Sequence, residues 1–148
     1  MHECRNARIH GYQAICASVH LCVRAFAVTL LLIGVGGALG SMARYLLSTL
    51  VYRLVPSLFP FGTFVVNVVG CVLFGIIVGL AEQRFVLRPD ARAFLLIGVL
   101  GGFTTFSTFA FESFELLRDG QFMSAAVNVV GQVVAGIVGL WAGFVISG

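Results

Sequence analysis

The stretch "GGFTTFSTF", residues 101–109, packs two glycines, four hydroxyl side chains and three phenylalanines into nine residues. The nearest charged residues are Arg92 and Glu112, and the 19 residues between them are otherwise hydrophobic. A run that long and apolar reads as a membrane span, because about 20 residues at 1.5 Å rise cross a hydrocarbon core roughly 30 Å thick. The glycine pair falls at its middle, the depth at which an unpaired backbone group is most expensive. A helix weakened there needs a purpose.

The rest of the chain has the same solvent. Of its 148 residues 59% are hydrophobic and 10% charged, with a mean hydropathy of +1.05, too little polar surface for water. Apolar stretches run from Ala25 to Arg53, interrupted by Arg44, then from Leu54 to Ala81, Ala93 to Phe111 and Gly120 to Gly148. The expected fold is an all-α membrane protein with four transmembrane helices at about 26–52, 61–82, 92–117 and 121–146, the third broken, multi-pass in the cell's inner (plasma) membrane. "VPSLFPFG", "EQRFVLRPDAR" and "LRDGQ" connect them and leave no room for a soluble domain. Arg24 followed by "RAFAVTLLLIGVGGALG" could open a signal peptide, but the run continues to Tyr52 and three more spans follow, so it reads as helix 1.

Residues 1–24 differ from the membrane domain, 25–148: they hold all three histidines and three of four cysteines. The spacing of Cys16, His20 and Cys22 matches no structural zinc pattern. A disordered tail, or an extension from an upstream start codon, is the expectation. Cys71 lies mid-membrane and is expected to pack, with no disulfide framework implied.

Polar groups inside spans are functional candidates. Helix 1 carries Ser41, Arg44, Ser48 and Tyr52 along one stripe, helix 2 carries Asn67 beside Gly70, Cys71 and Phe74, and helix 4 stacks Asn128 on Gln132. Arg44 has two readings: a membrane-edge anchor that snorkels, or a fixed positive charge drawing anions to a pore mouth. Asn67, Asn128 and Gln132 could equally be hydrogen-bonding glue between helices. The spacings Gly36–Gly40, Gly75–Gly79 and Gly139–Gly143 predict close helix approach. No enzyme constellation emerges: the histidines are all in the tail, there is no lysine, and Glu112 and Glu115 sit at the end of helix 3, where Glu115 can pair with Arg118.

Non-helical backbone at membrane depth is tolerated where protein or a water-filled cavity covers it. In "GGFTT" the glycines can unwind the helix and the hydroxyls can cap the next half, and half-helix ends at the midplane make an ion site. Phe106 and Phe109 share one face of the second half, with Thr105 and Thr108 on the adjacent face. An aromatic pair there is ordinarily core or lipid-facing. Ring edges, however, are electropositive, and lining a narrow path they attract a small anion without the grip of a full charge.

At these residues the chain resembles a known family. "GGALGSMARY" (36–45), "FPFGTFVVNVVG" (59–70) and "GGFTTFSTFAFE" (101–112) are similar, in order, to the signature stretches of the Fluc, or CrcB, small fluoride channels. The resemblance covers residues 28–148 and implies an antiparallel, dual-topology dimer with two fluoride pathways. It implies a structural sodium ion at the centre, held by backbone carbonyls at Gly101 and Thr104. The pathway residues it implies are Phe106, Phe109, Asn67 and Arg44, with the hydroxyls of Thr105, Ser107 and Thr108 alongside. Where the family tends to carry small hydroxyls on helix 4, this chain has Asn128 and Gln132.

Hydrogen fluoride crosses bilayers neutral and ionises in a less acidic interior. With the inside negative, about 2.3 kcal/mol per charge at 100 mV, a passive selective pore expels the trapped anion. The expected function is therefore fluoride export with the chain itself, lipid and fluoride as partners and no nucleic acid. Alternatives are a small dual-topology multidrug-type exporter, which would want an acidic residue in helix 1, and an accessory membrane subunit. Arginines at 5, 8, 24, 84, 88 and 92 fall on one side and Arg53 and Arg118 on the other. That bias favours one orientation, whereas an antiparallel homodimer needs both; a paralogous partner of opposite orientation would reconcile them.

Overall fold

The computed structural model describes residues 2–83 and 87–147, with backbone alone for residues 2–21 and Gln83. Every described element is helical: α1 His2–Leu54, α2 Phe61–Gln83, α3 Pro89–Arg92, a wider π-helical stretch Ala93–Leu100, α4 Gly101–Phe103, α5 Phe106–Arg118 and α6 Phe122–Ser147. Four segments are long and apolar enough to cross a membrane: Cys22–Leu54, Phe61–Glu82, Pro89–Arg118 and Phe122–Ser147. The protein is a multi-pass membrane protein of four spans, and its third span is joined from pieces. Helix α1 begins well before residue 25, where the sequence places the start of the membrane domain. The tail's Cys16 and His20, and Arg84 of the second connection, lie outside the residues whose side chains are described.

The chain's punctuation explains the ends. Pro89 occupies the first position of α3, where its missing N–H is no loss. Gly120, at φ 75°, closes α5 in the left-handed conformation, and the next amide, Gln121 N–H, returns to the Leu116 carbonyl at 2.8 Å. Such a glycine stop satisfies end carbonyls that lipid could not.

The spans pack mainly as two pairs, α1 against the first half of the third span and α2 against α6. The small-residue spacings lie at these seams. A Cβ at Gly36 would come within 2.7 Å of the Phe94 carbonyl, one at Gly40 would overlap the Val99 carbonyl, and one at Gly75 the Leu140 carbonyl. On α6, a Cβ at Gly143 would overlap the Val72 carbonyl. Backbones in contact gain dispersion energy where no hydrophobic force separates helix from lipid. The outward surface is apolar: Leu31, Leu46, Val130, Ile137, Trp141 and Ile146 are all exposed, as lipid-facing side chains are.

The third span differs from the sequence reading in detail. Gly101 and Gly102, expected to unwind, have their place in α4, and Gly101 has helical dihedrals of −63° and −35°. The extended residues are Thr104 (φ −79°, ψ 156°) and Thr105 (φ −147°, ψ 110°). Gly102 serves packing instead: a Cβ there would stand 2.5 Å from the Gly37 carbonyl and 3.0 Å from the Gly37 Cα. The extended pair needs no glycine, because both threonines lie in backbone regions open to branched residues.

Candidate functional site

Two extended residues cost the helix its ladder locally, so the donors and acceptors must go elsewhere. The Thr105 N–H is donated to Asn67 Oδ1 at 2.9 Å, and Asn67 Nδ2 donates back to the Thr105 carbonyl at 3.2 Å. One carboxamide on α2 thus pairs both backbone groups of a residue on the third span. Thr105 Oγ1 caps α5 by accepting the Thr108 N–H at 3.4 Å, and the two hydroxyls lie 2.9 Å apart. The capping role expected of the hydroxyls falls to Thr105.

These bonds have a consequence for the carbonyls one turn earlier. In an unbroken helix Thr105 N–H would go to the Gly101 carbonyl and Thr108 N–H to the Thr104 carbonyl. Both donors are diverted to side chains. The remaining turn is held by Leu100, whose carbonyl accepts from Thr104 N–H and from Thr104 Oγ1, each at 3.0 Å.

Two cavities meet at the extended pair. The first, about 400 Å³, is lined by Gly101, Thr104, Thr105, Phe106 and Phe109 of the third span, by Asn67, Gly70, Cys71 and Phe74 of α2, and by Gln132 of α6. Phe106 and Phe109 are tilted at 53° with centroids 5.6 Å apart, and Phe106 is 79% exposed on this monomer. The second, about 250 Å³, is lined by the helix 1 stripe of Ser41, Arg44, Ser48 and Tyr52, together with Thr63, Thr105, Thr108 and Glu112. Thr105 is common to both linings. Arg44 makes no ion pair among the described residues.

Of the residues singled out from sequence, Asn67, Gly101, Thr104, Thr105, Phe106 and Phe109 meet at the first cavity, and Arg44, Thr105 and Thr108 at the second. Ser107 is exposed and lines neither. Glu115 pairs with Arg118 at 3.0 Å, as its spacing suggested. Sequence reading assigned no role to Glu112 and Thr63. The Glu112 carboxylate accepts from Thr63 Oγ1 at 2.7 Å and from Tyr52 Oη at 3.2 Å, while its other oxygen is buried without a partner. The available signal was spacing, since Glu112 stands four residues after Thr108 and so shares its face.

A polar chain runs deeper. Asn67 Nδ2 also donates to Gln132 Oε1 at 2.7 Å, Gln132 Nε2 to Asn128 Oδ1 at 2.9 Å, and Asn128 Nδ2 to Ser113 Oγ at 2.9 Å. Ser113 Oγ in turn donates to the Phe109 carbonyl at 2.7 Å. The stacking of Asn128 on Gln132 is as the sequence suggested; their link to Asn67 is not visible in it.

Comparison with known proteins places these features. The family model described as "CrcB-like protein, Camphor Resistance (CrcB)" matches residues 31–144. A protein of Nitratidesulfovibrio vulgaris (strain Miyazaki F) named "Fluoride-specific ion channel FluC" is 51% identical over 77% of this chain and 92% of its own length. Proteins of the same name from Geobacter sulfurreducens and Nitrosococcus oceani are 50% and 48% identical, each over 78% of this chain and 93% and 92% of their own lengths. The matched region takes in both cavities and the extended pair between them, and the chain belongs to the CrcB family.

Proposed function

We propose that the chain is a fluoride-specific channel that passively exports fluoride from the cytoplasm across the plasma membrane, as an antiparallel homodimer with two pathways. The observation that carries this reading is the extended pair Thr104–Thr105, at the wall between an Arg44-lined cavity and one lined by the Phe106 and Phe109 rings. The relatives' name, fluoride-specific ion channel, supports it.

The pathway runs from one cavity to the other. Arg44, in no ion pair among the described residues, raises the potential in the cavity it lines and draws anions to the mouth, while the Glu112 carboxylate in that lining is held by Thr63 and Tyr52. The hydroxyls of Thr105 and Thr108 offer donors in place of water. Beyond them the electropositive ring edges of Phe106 and Phe109 hold the anion weakly enough to let it leave. An inward-negative potential then drives fluoride out without a pump.

The carbonyls of Gly101 and Thr104, whose helical donors go to side chains, are the groups that would hold the sodium ion. In an antiparallel pair the Gly101 and Thr104 carbonyls of both subunits would supply the oxygens that hold the ion. When bound, sodium supplies a positive charge that offsets those oxygens. Purified protein in fluoride-loaded liposomes tests the function: rapid fluoride efflux is expected, and its absence from folded dimers would overturn the reading in favour of an exporter of other substrates or an accessory subunit.

A further inference from the structure

We propose that Asn128 and Gln132 are positioning residues for fluoride passage, acting through Asn67 on the half-turn that carries Phe106 and Phe109. The inference rests on the channel reading above, and it assigns helix α6 a role other than lining the path.

The hydrogen bonds form one closed circuit. It leaves the third span at the N–H of Thr105, the cap of α5, passes through Asn67 on α2, Gln132 and Asn128 on α6 and Ser113 on α5, and returns to the Phe109 carbonyl. Every member donates in the same direction. Both ends are backbone groups with fixed roles, since an N–H only donates and a carbonyl only accepts. Each amide between them has one orientation: reversing Asn67 would set its oxygen against the Thr105 carbonyl and Gln132 Oε1, and its NH2 against the Thr105 N–H. Aligned bonds in a low dielectric also polarise one another.

The circuit encloses the turn from Thr105 to Phe109, which bears both rings. Asn67 spends both N–H donors and accepts the Thr105 N–H, so its main work is to hold the extended backbone. Gln132 fixes the Asn67 amide, and Asn128 fixes Gln132. Asn128 is 0% exposed and lines neither cavity. Any effect of its replacement on conduction passes through its neighbours.

The test uses the full chain in liposomes, with efflux normalised to folded dimer, alongside the side-chain amide signal of Asn67 in asparagine-labelled protein, assigned by its loss in Asn67→Ser. Asn128→Leu and Gln132→Met are each expected to slow efflux about tenfold or more. The double variant should be no slower than the worse single, because both act through one group. The Asn67 signal should move in both singles. Losses that multiply, wild-type efflux from folded Asn128→Leu, or an Asn67 signal unmoved by either change would overturn the proposal. If Asn128→Leu yields no dimer, Ser113→Ala, which removes the far link alone, takes its place with the same expectations in milder form. Should the wild-type chain pass no fluoride, the channel reading falls, while the Asn67 signal still decides whether the circuit is coupled.

Discussion

Thr105 N–H, which an unbroken helix would give to the Gly101 carbonyl, is given instead to Asn67 Oδ1 on a different helix at 2.9 Å. That exchange gives the amide of an extended residue within the third span a partner and leaves no orphaned donor there. It also makes Asn67 the residue on which the interruption depends. Asn67→Asp would face the Thr105 carbonyl and Gln132 Oε1 with an oxygen in place of the NH2. Efflux from Asn67→Asp should fall at least tenfold with reduced dimer yield, and normal efflux would show that the carboxamide does not hold the break.

The two glycines of the opening motif should separate on substitution. A Cβ at Gly102 meets the Gly37 backbone, whereas at Gly101 its nearest neighbour is the Leu96 carbonyl at 3.8 Å. Gly102→Ala should therefore destabilise the subunit by about 1–3 kcal/mol, as overpacking does. Gly101→Ala should leave the subunit folded, and under the proposed antiparallel assembly it should weaken the dimer. Thermal unfolding and cross-linking read the two effects apart.

Ring edges rather than bulk should matter at the phenylalanine pair. Phe106→Ile and Phe109→Ile keep apolar volume and should insert and dimerise normally, yet lose most fluoride efflux. Normal flux from a Phe109→Ile dimer would remove the role assigned to the rings.

Four spans, their connections and the helix 1 stripe were legible in the sequence because they rest on hydropathy and on a 3.6-residue period. Arg44, Ser48 and Tyr52 do line one cavity. The position of the extended residues was not legible at residue resolution: glycines are permissive, but Gly102 is used for contact with Gly37, and the extension falls on Thr104 and Thr105, the second held by Asn67, 38 residues away. Likewise Glu112 reads as a helix-end charge until Tyr52 and Thr63, both distant in sequence, are seen to donate to it. Periodicity reports which face a residue occupies, not what stands opposite.

The amino-terminal residues 1–24 should be dispensable for transport, since the family match begins at residue 31. A chain starting near residue 25 should insert, dimerise and conduct as the full one does. Loss of efflux with normal insertion would contradict this.

Antiparallel assembly predicts that a single cysteine in the loop between α5 and α6, on a background without Cys4, Cys16, Cys22 and Cys71, is labelled from both sides of the membrane in whole cells. One-sided labelling would instead indicate a heterodimer with an oppositely oriented paralogue. Under the proposed sodium site, dimers prepared without sodium should also lose stability or conduction, because the N–H groups that would serve the Gly101 and Thr104 carbonyls in a helix go to side chains.

The most direct test of the central claim is the reversal potential of the current that the purified chain carries across a planar bilayer, with mostly fluoride on one side, mostly chloride on the other, and some of each ion on both. A fluoride-specific path sets that potential close to fluoride's equilibrium value, and the current disappears in Phe109→Ile. A reversal potential governed by chloride, or no current from folded wild-type dimers, would contradict the account.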